Sequence, residues 1–124
     1  MKKVIATEHA PKAVGPYSQA IEVNGTLYIS GQIPVNPADG KIQEEITAAA
    51  HQSLKNIGAI LKEAGMTYDN VVKTTVLLAD IADFKAVNEV YAEYFTGDKP
   101  ARACYQAAAL PLGVKVEIEA IAVK

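Results

Sequence analysis

Cysteine, tryptophan and charge of either sign in excess are what this 124-residue sequence has least of. Cys104 is its one cysteine, which excludes an intramolecular disulfide and suits a reducing compartment. One cysteine with two scattered histidines, His9 and His51, does not assemble a transition-metal site. A phosphate-binding glycine loop is missing too. Aromatic residues make up 6% of the chain, leaving little stacking surface beyond the needs of a core. A formal net charge of −2 gives no electrostatic footprint for nucleic acid or an anionic membrane. No apolar run approaches the ~20 residues of a membrane span. Met1-Lys2-Lys3 precedes only Val4-Ile5-Ala6, too short for the apolar segment of a signal peptide. The expectation is a cytoplasmic protein with no nucleic-acid or membrane partner.

What is present is ordinary for one globular domain over residues 1–124: 50% hydrophobic and 21% charged, without repeats, linkers or low-complexity segments. Residues 3–7 read as a short first strand ended by Pro11. Gly15-Pro16-Tyr17-Ser18-Gln19 is punctuated as a shaped loop. Residues 20–23 and 26–30 flank Asn24-Gly25, the strongest short-range hairpin signal. Ser30-Gly31 is expected to end the second strand, with Pro34 blocking further pairing and Pro37-Ala38-Asp39-Gly40 turning.

A long helix is predicted over residues 43–64, with Gly65 just past its end. Ile46, Ala50, Leu54, Ile57, Leu61 and Ala64 form its apolar stripe, and Glu44 and Glu45 are expected in its first turn. Residues 71–79 read as a central, largely buried strand. A second helix follows over residues 84–95, capped by Asp80 or Asp83. Residues 99–106 and 114–120 read as a closing antiparallel hairpin turning at Leu110-Pro111-Leu112-Gly113, which would set Arg102 opposite Glu119 and Cys104 opposite Glu117. The order strand, hairpin, helix, strand, helix, hairpin predicts an α+β domain, a mixed sheet with both helices on one face. In a chain this small the other face needs a cover, and a partner subunit is the natural one.

Arg102 lies between Pro-Ala and Ala-Cys, an apolar setting for a guanidinium. It fits either a cross-strand ion pair supporting the sheet or an anchor for a ligand carboxylate. Glu117 and Glu119 share a strand parity and are interchangeable on spacing alone as the group that orients a water or moves a proton. Asn88 interrupts the apolar stripe of Phe84, Tyr91 and Phe95, and a buried amide needs partners. Tyr17 can offer a hydroxyl from its loop, and Gly31, next to Ser30, allows close approach to the backbone. Cys104 is two residues from Arg102 and so on the same strand face. No histidine spacing supplies it with a base, so it reads as a pocket-lining thiol.

Pro100-Ala101-Arg102-Ala103-Cys104, Leu110-Pro111 and Val116-Glu117-Ile118-Glu119-Ala120 resemble the signature of the RidA/YjgF family of enamine/imine deaminases. The resemblance extends through Gly15-Pro16-Tyr17-Ser18-Gln19, Ser30-Gly31-Gln32-Ile33-Pro34 and Val87-Asn88-Glu89-Val90-Tyr91. Ala103 departs from the serine that many members carry, without displacing Arg102 or Cys104. The resemblance implies a chorismate-mutase-like fold assembled as a homotrimer, with pockets between subunits. It also implies hydrolysis of 2-aminoacrylate and 2-aminocrotonate enamine/imine species to 2-keto acids and ammonia, with no metal or organic cofactor, since an iminium is already electrophilic. Arg102 would grip the carboxylate and Glu117, rather than Glu119, would handle the water, with Tyr17, Ser30, Gly31, Asn88 and Cys104 around the substrate. Two other readings are a regulatory trimer that binds 2-keto acids without turnover, and an RNA-cleaving translation inhibitor.

Overall fold

Asn24 and Gly25 take φ values of 49° and 81°, the positive pair that a tight two-residue turn requires. They join strand β2 (Ala20–Val23) to β3 (Thr26–Gln32), and β1 (Lys3–Ile5) pairs antiparallel with β2. Helix α1 (Ile46–Glu63) leads to β4 (Val71–Leu78), and helix α2 (Phe84–Tyr94) to β5 (Ala101–Gln106) and β6 (Val116–Val123). These elements come from a computed structural model that describes residues 1–124. The strands form one sheet in the order β1-β2-β3-β6-β4-β5.

That order overturns the closing hairpin. β5 does not pair with β6; it pairs parallel with β4, Arg102 beside Thr74 and Cys104 beside Val76. β6 instead runs antiparallel between β3 and β4, with Glu119 beside Thr75 and Glu117 beside Leu77. The physical reason is the α2 crossover, which returns the chain parallel to β4 and so takes the slot a hairpin partner would need. β6 alternates strictly, burying Val116, Ile118, Ala120 and Ala122, and so suits an interior position. The more polar β5 takes the edge. The turn after Leu110 does reverse the chain, with Leu112 and Gly113 at φ 57° and 67°, but its two arms straddle β4.

Both helices cover one face of the sheet. α1 packs on β3 and β6, and α2 reaches β4 through Tyr91, whose hydroxyl shares a 2.7 Å hydrogen bond with Thr74. The predicted α1 stripe is buried from Ala50 to Ala64, with Ile46 half-buried at its start, and Gly65 follows the helix at φ 74°. Glu44 and Glu45 precede the first turn rather than occupying it. Glu45 is the N-cap, its carboxylate accepting from the amides of Thr47 and Ala48 at 2.7 and 3.2 Å. Asp80 caps only the short 3-10 turn before α2, through the amide of Ala82, and Asp83 makes no side-chain cap. β4 is buried on one face only, because the opposite face of the sheet carries no helix. β3 continues past the expected end at Ser30–Gly31 to Gln32, through a bulge opposite β6.

Two measurements check this packing. Gly58 lies inside α1, where alanine ordinarily stabilises by about 1 kcal/mol. A Cβ there would come within 2.7 Å of the Tyr68 ring carbon that carries the hydroxyl donated to Leu54. Gly58→Ala should therefore lower the thermal unfolding midpoint instead of raising it. The amides of Thr47 and Ala48 hold the Glu45 carboxyl below its ordinary value of 4.5. A depressed carboxylate contributes stability above its unfolded value and loses it as pH falls through the folded one. Glu45→Gln should thus melt lower than the parent chain at pH 7, and the two curves should converge as the pH drops below that range.

Candidate functional site

β5 delivers Arg102 and Cys104 to the helix side of the sheet, because their register partners Thr74 and Val76 both point into the core. There the guanidinium meets α2. Nη1 of Arg102 donates to the Asn88 side-chain oxygen at 2.7 Å. The guanidinium carbon lies 4.9 Å from the Tyr91 ring centroid and 5.5 Å from that of Phe84. Asn88 interrupts the apolar stripe of α2 in order to accept this bond. Arg102 pairs with no carboxylate of its own chain, so the cross-strand ion pair is not formed. Its half-buried cation is held entirely by neutral groups.

Burial raises the Cys104 thiol above its ordinary range, against the opposing pull of Arg102. The thiol is free and half-buried, and a raised thiol is a weaker source of thiolate. Burial also raises the Tyr91 phenol, with the Thr74 hydrogen bond and the Arg102 charge working the other way.

Glu117 occupies the opposite face. Even-numbered residues of β6 enter the core, so Glu117 and Glu119 point away from it. A Cβ on Gly31 would lie 2.8 Å from the Glu117 carboxyl carbon, so a side chain there would displace this carboxylate. Burial raises the Glu117 carboxyl above the usual range, and the charge of Glu119 adds to the effect. Arg102 does not offset this burial, because β4 and the thickness of the sheet separate the two. Neighbouring strands are about 4.8 Å apart, so β5 and β6 stand roughly 10 Å apart before their side chains diverge to opposite faces.

Tyr17 and Gly31 line one cavity of about 310 Å³ together with Pro37 and Leu112. The Tyr17 loop is pinned from both sides. Ser30 donates its hydroxyl to the Ser18 carbonyl at 2.6 Å and its amide to the Gln19 carbonyl at 2.9 Å. The buried Gln19 side chain bonds the backbone of Thr7, Ala10 and Pro11. Ser30 therefore acts on the loop, and its hydroxyl is already engaged.

The sequence-predicted residues fall into two groups. Arg102, Asn88 and Cys104 stand on the helix face, while Tyr17, Ser30, Gly31 and Glu117 lie on or beside the open one. Thr74, Tyr91 and Phe84 belong with the first group and were not singled out as site residues. The common helical face of Phe84, Asn88 and Tyr91 was visible in the sequence, but not that Arg102 would land on it.

Residues 7–124 match the family model described as endoribonuclease L-PSP. A mouse 2-iminobutanoate/2-iminopropanoate deaminase is 58% identical over the whole chain, which covers 93% of that protein. A Salmonella typhimurium protein of the same name is 48% identical, with 100% of this chain and 99% of that one aligned. Among solved structures, the YjgF gene product of E. coli superimposes with a TM-score of 0.96 at 47% identity, covering 98% of both chains. E. coli TdcF with bound serine has a TM-score of 0.96 at 43% identity, again covering 98% of each. Matched along its length in sequence and in fold, this chain belongs to the RidA/YjgF family.

Proposed function

We propose that this chain, as one RidA-like domain over residues 1–124, hydrolyses small 2-imino acids to 2-keto acids and ammonia. The substrates are the imine tautomers of 2-aminoacrylate and 2-aminocrotonate. The observation that carries the reading is Arg102: a half-buried cation held by an amide and two aromatic rings, with no carboxylate of its own chain. Such a guanidinium is free to take a planar carboxylate in a two-pronged grip. The relatives named as 2-iminobutanoate/2-iminopropanoate deaminases, and a neighbour solved with serine, support a ligand with an α-carboxylate.

The imine carbon is already electrophilic, so the reaction needs a water and proton transfers and no metal or organic cofactor. Water adds to C2 as the C=N bond becomes a C–N single bond, and Glu117 takes the proton the water loses. Glu117 returns that proton to nitrogen, giving the carbinolamine; it then carries the C2 hydroxyl proton to nitrogen as the C–N bond breaks, which leaves the ketone and ammonia. A carboxyl raised by burial is better suited to hold and return a proton near neutral pH than an exposed one. Tyr17, Ser30 and Gly31 shape the surroundings on that side, and Asn88 and Cys104 on the other.

A carboxylate and C2 are adjacent atoms, yet Arg102 and Glu117 stand on opposite faces of one sheet. Both can reach one substrate only if a second copy of the chain supplies one of them. The open face also presents Val4 and Tyr28, 59% and 51% exposed, in register with Ile21 and Ile121 across four strands. An apolar stripe of this kind calls for a cover. These features favour a chorismate-mutase-like homotrimer whose sheets face a common centre and whose sites lie between subunits. The single reduced cysteine accords with a cytoplasmic setting. The reading as a binding trimer without turnover shares the pocket, and the net charge of −2 disfavours RNA as the substrate.

A coupled assay tests this reading: a serine or threonine dehydratase generates the imine, and keto-acid appearance is followed with and without this protein. Acceleration by the parent chain should vanish in Arg102→Ala and fall at least a hundredfold in Glu117→Gln, with oligomer size unchanged by light scattering. No acceleration by a well-folded oligomer would favour the binding reading. Gly31→Ala, which displaces the Glu117 carboxylate and leaves Arg102 untouched, should lower kcat with little change in KM.

A further inference from the structure

Arg102 arrives on an edge strand, where an arginine side chain has many accessible rotamers, yet its guanidinium is held on several sides. Phe84, Asn88 and Tyr91, at positions i, i+4 and i+7 of α2, form one stripe and all three touch it. Tyr91 is itself fixed: it is 7% exposed, and its hydroxyl shares a 2.7 Å hydrogen bond with that of Thr74, which is 1% exposed. Thr74 is the register partner of Arg102 on β4. The chain of contacts therefore closes on itself, from the β4–β5 ladder through Thr74 and the Tyr91 ring back to the guanidinium.

Every member of this ring of contacts is uncharged. A carboxylate would hold an arginine as firmly, but it would cancel the charge and occupy the donor edge that a substrate carboxylate needs. An aromatic face attracts the cation through its ring quadrupole and uses none of the in-plane N–H donors. Asn88 takes one N–H of Nη1 and brings no charge.

We propose that Tyr91, tethered by Thr74, is a positioning residue that holds Arg102 in place for the substrate carboxylate. Phe84 and Asn88 complete a cradle whose neutrality keeps the guanidinium available to a ligand. This inference rests on the reading of Arg102 as the carboxylate anchor. It implies that loss of the ring loosens the cation and weakens binding. It also implies that a charge added to the cradle competes with the ligand even while it strengthens the fold.

The test uses the assembled protein and two measurements on each variant: calorimetric binding of 2-oxobutanoate, the keto acid formed from 2-iminobutanoate, and kcat and KM in the coupled assay. Tyr91→Leu, without the ring, should weaken 2-oxobutanoate binding and raise KM about tenfold while kcat stays within about twofold. Tyr91→Phe and Thr74→Val keep the ring and lose only the tether, and should show the same KM pattern at about two- to threefold. Asn88→Asp places a carboxylate on Nη1. It should bind 2-oxobutanoate at least tenfold more weakly while unfolding at a temperature no lower than the parent, a combination that a merely structural role for the cradle does not produce. Were Tyr91→Leu to fail to fold, Asn88→Asp and Tyr91→Phe would carry the test. Parent-like binding in Asn88→Asp and the Tyr91 variants, alongside lost binding in Arg102→Ala, would overturn the cradle and leave the anchor intact. Parent-like binding in Arg102→Ala would overturn the anchor reading itself.

Discussion

The insertion of β6 between β3 and β4 is the constraint from which the rest follows. Both neighbours are antiparallel to it and hence parallel to each other, so the C-terminal strand joins two halves of the chain that are otherwise linked through α1. Its alternation is strict. Val116, Ile118, Ala120 and Ala122 enter the core beneath the helices, and each intervening residue is sent to the uncovered face. A slip of one register position would put Glu117 and Glu119 into the core, so the hydrophobic term that fixes the sheet also fixes where the carboxylates stand.

The same sheet acts as an electrical divider. On the helix side the arginine's charge is left without a counter-charge, because its neighbours are an amide and two aromatic rings. On the open side a glutamate is pushed toward its neutral form by burial against Gly31 and by the like charge of Glu119. Each state would be lost if the two groups met within one chain, since the ion pair would hold Glu117 ionised and occupy Arg102. On opposite faces, the cation stays without a carboxylate partner and the carboxyl stays raised. The same divide leaves Glu117 on the same open face as the apolar stripe of Val4, Ile21, Tyr28 and Ile121.

The local elements were legible because short-range chemistry specifies them. Asn24-Gly25 specified a turn with positive φ, Gly65 a helix end, and the spacing from Ile46 to Ala64 the buried stripe of α1. The candidate residues were legible by type, since a guanidinium in an apolar setting and an amide on an apolar helical stripe each need a partner. Their partnership was not. Arg102 and Asn88 bond each other, while Arg102 and Glu119, which two strand-like segments around a Leu-Pro-Leu-Gly turn set opposite one another, lie apart.

By itself, then, the sequence determined which segments become strands and helices, because propensity, periodicity and turn chemistry act over a few residues. It also determined which side chains are able to hold a carboxylate or move a proton. Only the tertiary structure decided which strands are neighbours, because a crossover helix and the burial of β6 outweigh proximity along the chain. That choice of neighbours placed Arg102 on one face of the sheet and Glu117 on the other.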